Sequence, residues 1–122
     1  MANKMNILHV DDSEKIRSLI KSMLLNLPTS NIIEGVYTLS QAKEELKKEK
    51  MDVVILDIQL PDGSGIFFLK WIKENYPKIC VIMFSNYSDK HHRMAAKELG
   101  ADYFFDKSTE WEQILKTIAQ LN

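Results

Sequence analysis

A short apolar run is followed by a stretch of helical periodicity five times along this chain, and four of the five runs stop abruptly at a chemically capable polar residue. The runs are 5–10, 32–37, 53–56, 79–84 and 101–105. After the first, Asp12 or Ser13 is placed to cap a helix. Its residues Ile16, Leu19, Ile20, Met23, Leu24 and Leu27 share one face at a period of 3.6, and Pro28 ends it. Glu34 and Gly35 interrupt the second run, which suits a strand at a sheet edge. Ser40 is read as the cap of a lysine- and glutamate-rich helix reaching about Lys50, with a thin apolar side of Ala42, Leu46 and Leu39. Leu60-Pro61-Asp62-Gly63 is a turn. The helix over 64–76 carries Ile66, Leu69 and Ile72 on one stripe with Phe68 beside it, and Pro77 stops it. Ser88 is read as the cap of a fourth helix reaching Leu99, with Gly100 closing it. Thr109 and Glu112 have capping-box spacing for the last helix, whose buried side is Trp111, Ile114, Leu115 and Ile118.

Strands alternating with helices predict βαβ units and a parallel sheet. Strands apolar on both faces need helices on both faces, joined by right-handed crossovers. The expected architecture is a doubly wound α/β fold: five parallel strands in flavodoxin-like order 2-1-3-4-5 with five helices. At 122 residues the chain suits one core, and one domain is expected over residues 5–121.

The strand C-termini of a parallel sheet share one rim, and ligands bind there where the strand order reverses. In this order the reversal lies between the first and third strands. Those strands end at Asp11-Asp12 and at Asp57; the fourth ends at Ser85 and the fifth just before Lys107. Three neighbouring carboxylates repel one another. A divalent cation resolves the repulsion, and an all-oxygen site with room for water suits Mg²⁺, with Mn²⁺ as a substitute. One aspartate can then act as a nucleophile towards phosphorus through an acyl phosphate. Lys107 offers a cation and Ser85 a hydroxyl to the entering oxygens.

Asp11-Asp12, Asp57, Pro61-Asp62-Gly63, Ser85, Gly100-Ala101 and Lys107, in this order, resemble the receiver domain of bacterial two-component response regulators. The resemblance spans essentially the whole chain. It implies Asp57 as phospho-acceptor and Mg²⁺ held by Asp12 and Asp57, by Asp11 through a water, and by the backbone carbonyl of Gln59. It implies Ser85 and Phe104 as a switch pair and Lys107 as the partner of the phosphoryl group. The donor would be a phosphohistidine on a sensor histidine kinase or a phosphotransfer protein. The output surface for a downstream protein would be the fourth helix, fifth strand and fifth helix. Such a domain is no conventional enzyme; it catalyses its own phosphorylation and slow dephosphorylation. Asn86 replaces a small residue of the family pattern, and Gln59 and Tyr87 occupy positions that tune dephosphorylation. Ser108 replaces a proline whose preceding bond is commonly cis. A cis bond before serine costs about 2.5–4 kcal/mol, so the geometry after Lys107 stays open.

Composition narrows the alternatives. With 16 basic and 17 acidic residues and a net charge of −1, nothing global points to nucleic acid or a membrane surface. No stretch approaches the length of a membrane span, and the single cysteine, Cys80, allows no internal disulfide, so a cytoplasmic location is expected. A flavin carrier would need a phosphate-binding loop after the first strand, where Asp11-Asp12-Ser13-Glu14 would repel it. A haloacid-dehalogenase-type phosphatase would need a second aspartate two residues after Asp57, where Gln59 stands. A degenerate receiver serving only as a phosphorylation-independent interaction module is the remaining alternative. Taken singly, the aspartates read as caps or loop carboxylates, Lys107 as a surface lysine and Ser85 as a turn residue. His91-His92 reads as a solvated pair, since adjacent helical residues diverge. His9, Trp71 and Trp111 read as core, and residues 43–50 as a solvated helix face.

Overall fold

The computed structural model describes residues 4–27, 30–32 and 35–121, with the backbone alone for 30–32. Pro28, Ile33 and Glu34, which the sequence reading assigned to a helix stop and an edge strand, lie outside the described residues.

The elements run β1 (Met5–Val10), α1 (Glu14–Leu25), β2 (Ser30–Ile32), α2 (Leu39–Lys48), β3 (Val53–Leu56), β4 (Gln59–Leu60), β5 (Gly63–Ser64), α3 (Gly65–Asn75), β6 (Cys80–Ser85), α4 (Lys90–Glu98), β7 (Tyr103–Asp106) and α5 (Trp111–Leu121). The main sheet has five parallel strands in the order β2-β1-β3-β6-β7, which is the expected 2-1-3-4-5 once the small β4-β5 hairpin is set apart. That hairpin is the turn read at Leu60-Pro61-Asp62-Gly63.

Period-two alternation divides the core into two layers. Leu8, Val54, Leu56, Val81 and Met83 face α2, α3 and α4, where Ala42, Leu46, Phe68, Leu69, Ile72 and Ala96 cover them. Ile7, Val53, Ile55, Ile82 and Phe84 face α1 and α5, covered by Ile20, Leu24, Ile114 and Ile118. Burying both faces of the sheet requires this double winding.

Several local expectations shift. The second strand is Ser30–Ile32 rather than 32–37, and Val36 adds a single bridge to Val10. The fifth strand starts at Tyr103 because the Asp102 carboxylate is occupied by the Val81 N–H at 2.8 Å and by Lys73 Nζ at 2.8 Å. Leu19 is exposed rather than buried. Ser13 caps α1. Thr38, not Ser40, caps α2, through a reciprocal capping box with Gln41. Asp89, not Ser88, caps α4; the Ser88 hydroxyl instead donates to Asp106 Oδ1 at 3.0 Å. Thr109 does not cap α5: its hydroxyl donates to Asp106 Oδ2 at 2.7 Å and the helix begins at Trp111. Gly100 follows the C-cap of α4 at φ +99°, a backbone conformation that favours glycine.

Candidate functional site

The C-terminal ends of β1 and β3 lie side by side, since Val10 pairs with Leu56. The residues just beyond them therefore meet. The Asp57 N–H donates to the Val10 carbonyl at 3.1 Å, which fixes the start of the third loop against the first. Carboxylate oxygens of Asp11, Asp12 and Asp57 all lie within 4.8 Å of one another. Asp11 is fully buried, Asp57 is 7% exposed and Asp12 is open to solvent.

Lys107 reaches this group from beyond β7. Its Nζ is 2.7 Å from Asp57 Oδ2 and 2.6 Å from Asp11 Oδ2, and only 9% of its side chain is exposed. The contact with Asp11 is an ion pair without hydrogen-bond alignment, so that buried oxygen has no hydrogen-bonding partner. Two other carboxylate oxygens in the cluster are held locally. Asp57 Oδ1 accepts the Ile58 N–H at 2.7 Å, and Asp11 Oδ1 accepts the Ser13 N–H at 2.9 Å.

Burial pushes the Asp11 carboxyl above its ordinary range, against the opposing close contact and charge of Lys107. For Lys107, burial disfavours the ammonium, but the close contacts and charges of Asp11 and Asp57 outweigh it and raise its pKa. His9, buried as the sequence suggested, is lowered to about 3, first by burial and then by Lys107 and Arg17. It is therefore a neutral ring beside Asp11, 3.9 Å away.

A cleft of about 600 Å³ opens over the cluster, with Asp12, Asp57, Lys107, Gln59, Asn86 and Trp111 in its lining. The donor set is all oxygen, rich in carboxylate and open to water on the Asp12 side. With one buried carboxylate oxygen lacking a hydrogen bond, it fits a hard divalent cation such as Mg²⁺.

Asp11, Asp12, Asp57, Lys107 and Gln59 thus share one site. Ser85 sits at its edge, fully buried; its carbonyl accepts the Lys107 N–H at 3.1 Å and its hydroxyl accepts the Tyr87 N–H at 3.1 Å. Phe104 stands apart from the cleft on β7. Its ring lies 4.9 Å from the Arg93 guanidinium, which also donates to its carbonyl at 3.3 Å. The bond between Lys107 and Ser108 is trans, as is every peptide bond among the described residues. Two contributors escaped the sequence reading. Arg17 donates to the Asp11 carbonyl at 2.6 Å, and Trp111 lines the cleft while its indole donates to the Lys107 carbonyl. The i,i+4 spacing from Lys107 to Trp111 was the available signal for the second.

Gly65 supports Asp57 from below. A Cβ built there would lie 1.8 Å from the Asp57 carbonyl oxygen, so the chain requires a bare backbone at this close approach.

Comparison with known proteins agrees with this layout. The sequence profile of the response regulator receiver domain matches residues 7–119. The transcriptional regulatory protein GltR of Pseudomonas aeruginosa is 31% identical over 122 residues, covering 98% of this chain and 50% of GltR. A protein-glutamate methylesterase/protein-glutamine glutaminase of Vibrio vulnificus is 36% identical over 107 residues, covering 85% of this chain and 31% of that protein. The chain thus spans about half or less of the length of these curated relatives, one of which is named as an enzyme. The isolated receiver domain of RcsB from Salmonella enterica superposes with a TM-score of 0.91 at 23% identity, over 98% of this chain and 88% of that one. Among the described residues no helix is long and apolar enough to cross a membrane. The profile match across nearly the whole chain, on a doubly wound sheet with its acidic cluster at the strand ends, places this protein in the receiver-domain family of two-component response regulators.

Proposed function

We propose that this receiver, running from Met5 to Leu121, accepts a phosphoryl group on Asp57 from a phosphohistidine of a sensor histidine kinase or phosphotransfer protein, in a Mg²⁺-dependent reaction. The observation that carries this reading is the Lys107 ammonium seated between the buried Asp11 and Asp57 carboxylates, with Asp12 completing the acidic group.

Asp57 attacks phosphorus as a carboxylate. The phosphorus–nitrogen bond breaks, and the donor imidazole keeps the electron pair and takes a proton from solvent. Asp12 and Asp57, Asp11 through a water, and the Gln59 backbone carbonyl would hold Mg²⁺. When bound, the ion supplies charge neutralisation between the carboxylates and the entering phosphoryl oxygens. Lys107 supplies the second cation. Ser85 then turns its hydroxyl to the phosphoryl group, and Phe104 leaves the Arg93 guanidinium and moves inward. The surface of α4, β7 and α5 changes for a downstream protein target. The domain is a phosphorelay component in the cytoplasm, turning over no separate substrate and contacting neither nucleic acid nor membrane directly.

The test is intact mass after incubation with Mg²⁺ and acetyl phosphate, with a beryllofluoride titration in parallel and Asp57→Asn as control. The RcsB receiver domain was itself solved in the presence of beryllofluoride as a phosphomimetic. One added phosphoryl group that needs Mg²⁺ and is absent from the variant is the expected result. The absence of both phosphorylation and beryllofluoride binding would refute the reading in favour of a phosphorylation-independent interaction module.

A further inference from the structure

We infer that Trp111 is a positioning residue for Lys107, a role that rests on the phosphoryl-transfer reading above. Lys107 lies in the short connection between β7 and α5, where no regular element dictates its backbone. Both of its peptide groups are nevertheless held. Its N–H donates to the Ser85 carbonyl at 3.1 Å, and its carbonyl accepts the indole N–H of Trp111. The indole is itself fixed, with its ring edge-on to the fully buried Phe84 at 5.1 Å. A partly buried ring packed on the core thus carries a directional donor to the backbone of the lysine.

The neighbouring contacts do something else. Asp106 is tied to Ser88, Glu110 to Arg93, and Ser108 to Asn86. These fasten the connection to the β6–α4 side without gripping the Lys107 carbonyl. The Lys107 ammonium must meet two oxygens at 2.6 and 2.7 Å at the end of four methylenes. With the peptide groups on both sides held, the Cα that carries this side chain is fixed, and its displacement would draw the ammonium off both. Trp111 also lines the cleft beside Asp12, so it walls the space that Lys107 serves. The turn around Lys107 is closed by the Thr109 and Glu110 N–H groups on the Asp106 carbonyl at 3.4 and 2.9 Å, and the indole adds a hold on the Lys107 carbonyl, which those bonds do not engage.

The deciding variant is Trp111→Phe, which keeps an aromatic ring against Phe84 and removes the donor. Three measurements go together: hydrogen exchange of the Trp111 indole in the wild type, the Lys107 ammonium ¹⁵N signal in both proteins without metal, and the acetyl phosphate reaction at saturating Mg²⁺. The wild-type indole hydrogen is expected to exchange slowly. In the variant the ammonium signal should shift and weaken. The saturating rate should fall about three- to tenfold, the equivalent of one hydrogen bond, with the Mg²⁺ midpoint moving less than twofold. A merely structural tryptophan would lower the unfolding midpoint and leave the ammonium signal and saturating rate alone; that result, or a fast-exchanging wild-type indole, overturns the inference. A protected indole and a shifted ammonium in a protein that acetyl phosphate never modifies would uphold the Trp111–Lys107 link and sink the phosphoryl-transfer reading instead.

Discussion

Replacing Lys107 by methionine isolates the electrostatics of the cluster. The substitution keeps most of the aliphatic volume and removes the cation that touches both the Asp11 and Asp57 carboxylates. Two carboxylate charges within 4.8 Å repel by roughly 3–4 kcal/mol at an effective dielectric constant of about 20. Removing one partner of a buried ion pair costs about 3–5 kcal/mol, because the remaining charge is left uncompensated. Asp57 borders the cleft, so solvent screens part of that cost, and a loss of about 2–4 kcal/mol is expected in metal-free protein. Urea unfolding in the presence of a chelator measures it. The double variant Asp11→Asn with Lys107→Met should regain most of the loss, because one of the two repelling charges is gone, so the two substitutions should be strongly non-additive. Millimolar Mg²⁺ should partly rescue the single variant, since a ligand that binds only the folded state stabilises it. A single-variant loss below about 1 kcal/mol, or additive effects in the double variant, would show that Lys107 does not hold the cluster together.

Two other substitutions probe the frame around the site. Gly65→Ala places a Cβ 1.8 Å from the Asp57 carbonyl oxygen, so backbone must move, and a loss of about 2–3 kcal/mol in urea unfolding is expected; a change under 0.5 kcal/mol, judged against the usual scatter of harmless substitutions, would contradict the close approach. Asp62 accepts the Leu39 and Ser40 N–H groups at 2.8 and 3.0 Å, and the Leu39 bond is the first cause of its lowered pKa. A carboxyl lowered on folding adds stability above its unfolded pKa and loses it as pH falls through the folded value. The wild type should therefore lose more thermal stability than Asp62→Ala on acidification below pH 4; parallel melting curves would refute the assignment.

The sheet was legible because period-two burial on both faces leaves long apolar runs that only a covered parallel strand explains. Val53, Val54, Ile55 and Leu56 are all buried, alternately against α1–α5 and α2–α4. The helix starts were less legible because two competent side chains stood near each one. Thr38 and Ser40 both offer a hydroxyl, but only Thr38 has Gln41 three residues on to return the bond to its own N–H. At α4, Asp106 takes the Ser88 hydroxyl from another strand, which leaves Asp89 to cap. That choice depends on a partner 18 residues away, which local spacing does not contain.

The same distinction divides the site. Asp11, Asp12, Asp57 and Lys107 follow from where strands end, and a parallel sheet brings all its strand ends to one rim whatever the loops do. Their convergence is a property of topology, so a linear sequence suffices. Trp111, Arg17 and His9 act through the directions of side chains across packed layers: an indole onto a carbonyl, a guanidinium onto the Asp11 carbonyl, a neutral ring beside Asp11. Each has an ordinary packing or surface role that fits its position equally well. Trp111 shows the limit most clearly. An aromatic residue on the buried face of an amphipathic helix predicts core, and Trp111 is partly buried against it, edge-on to Phe84, with its other side on the cleft. What the pattern does not carry is that one polar atom of that residue points back at the backbone of Lys107. Residues that carry charge to the rim could thus be read from strand ends, whereas residues that aim that charge required the packed structure.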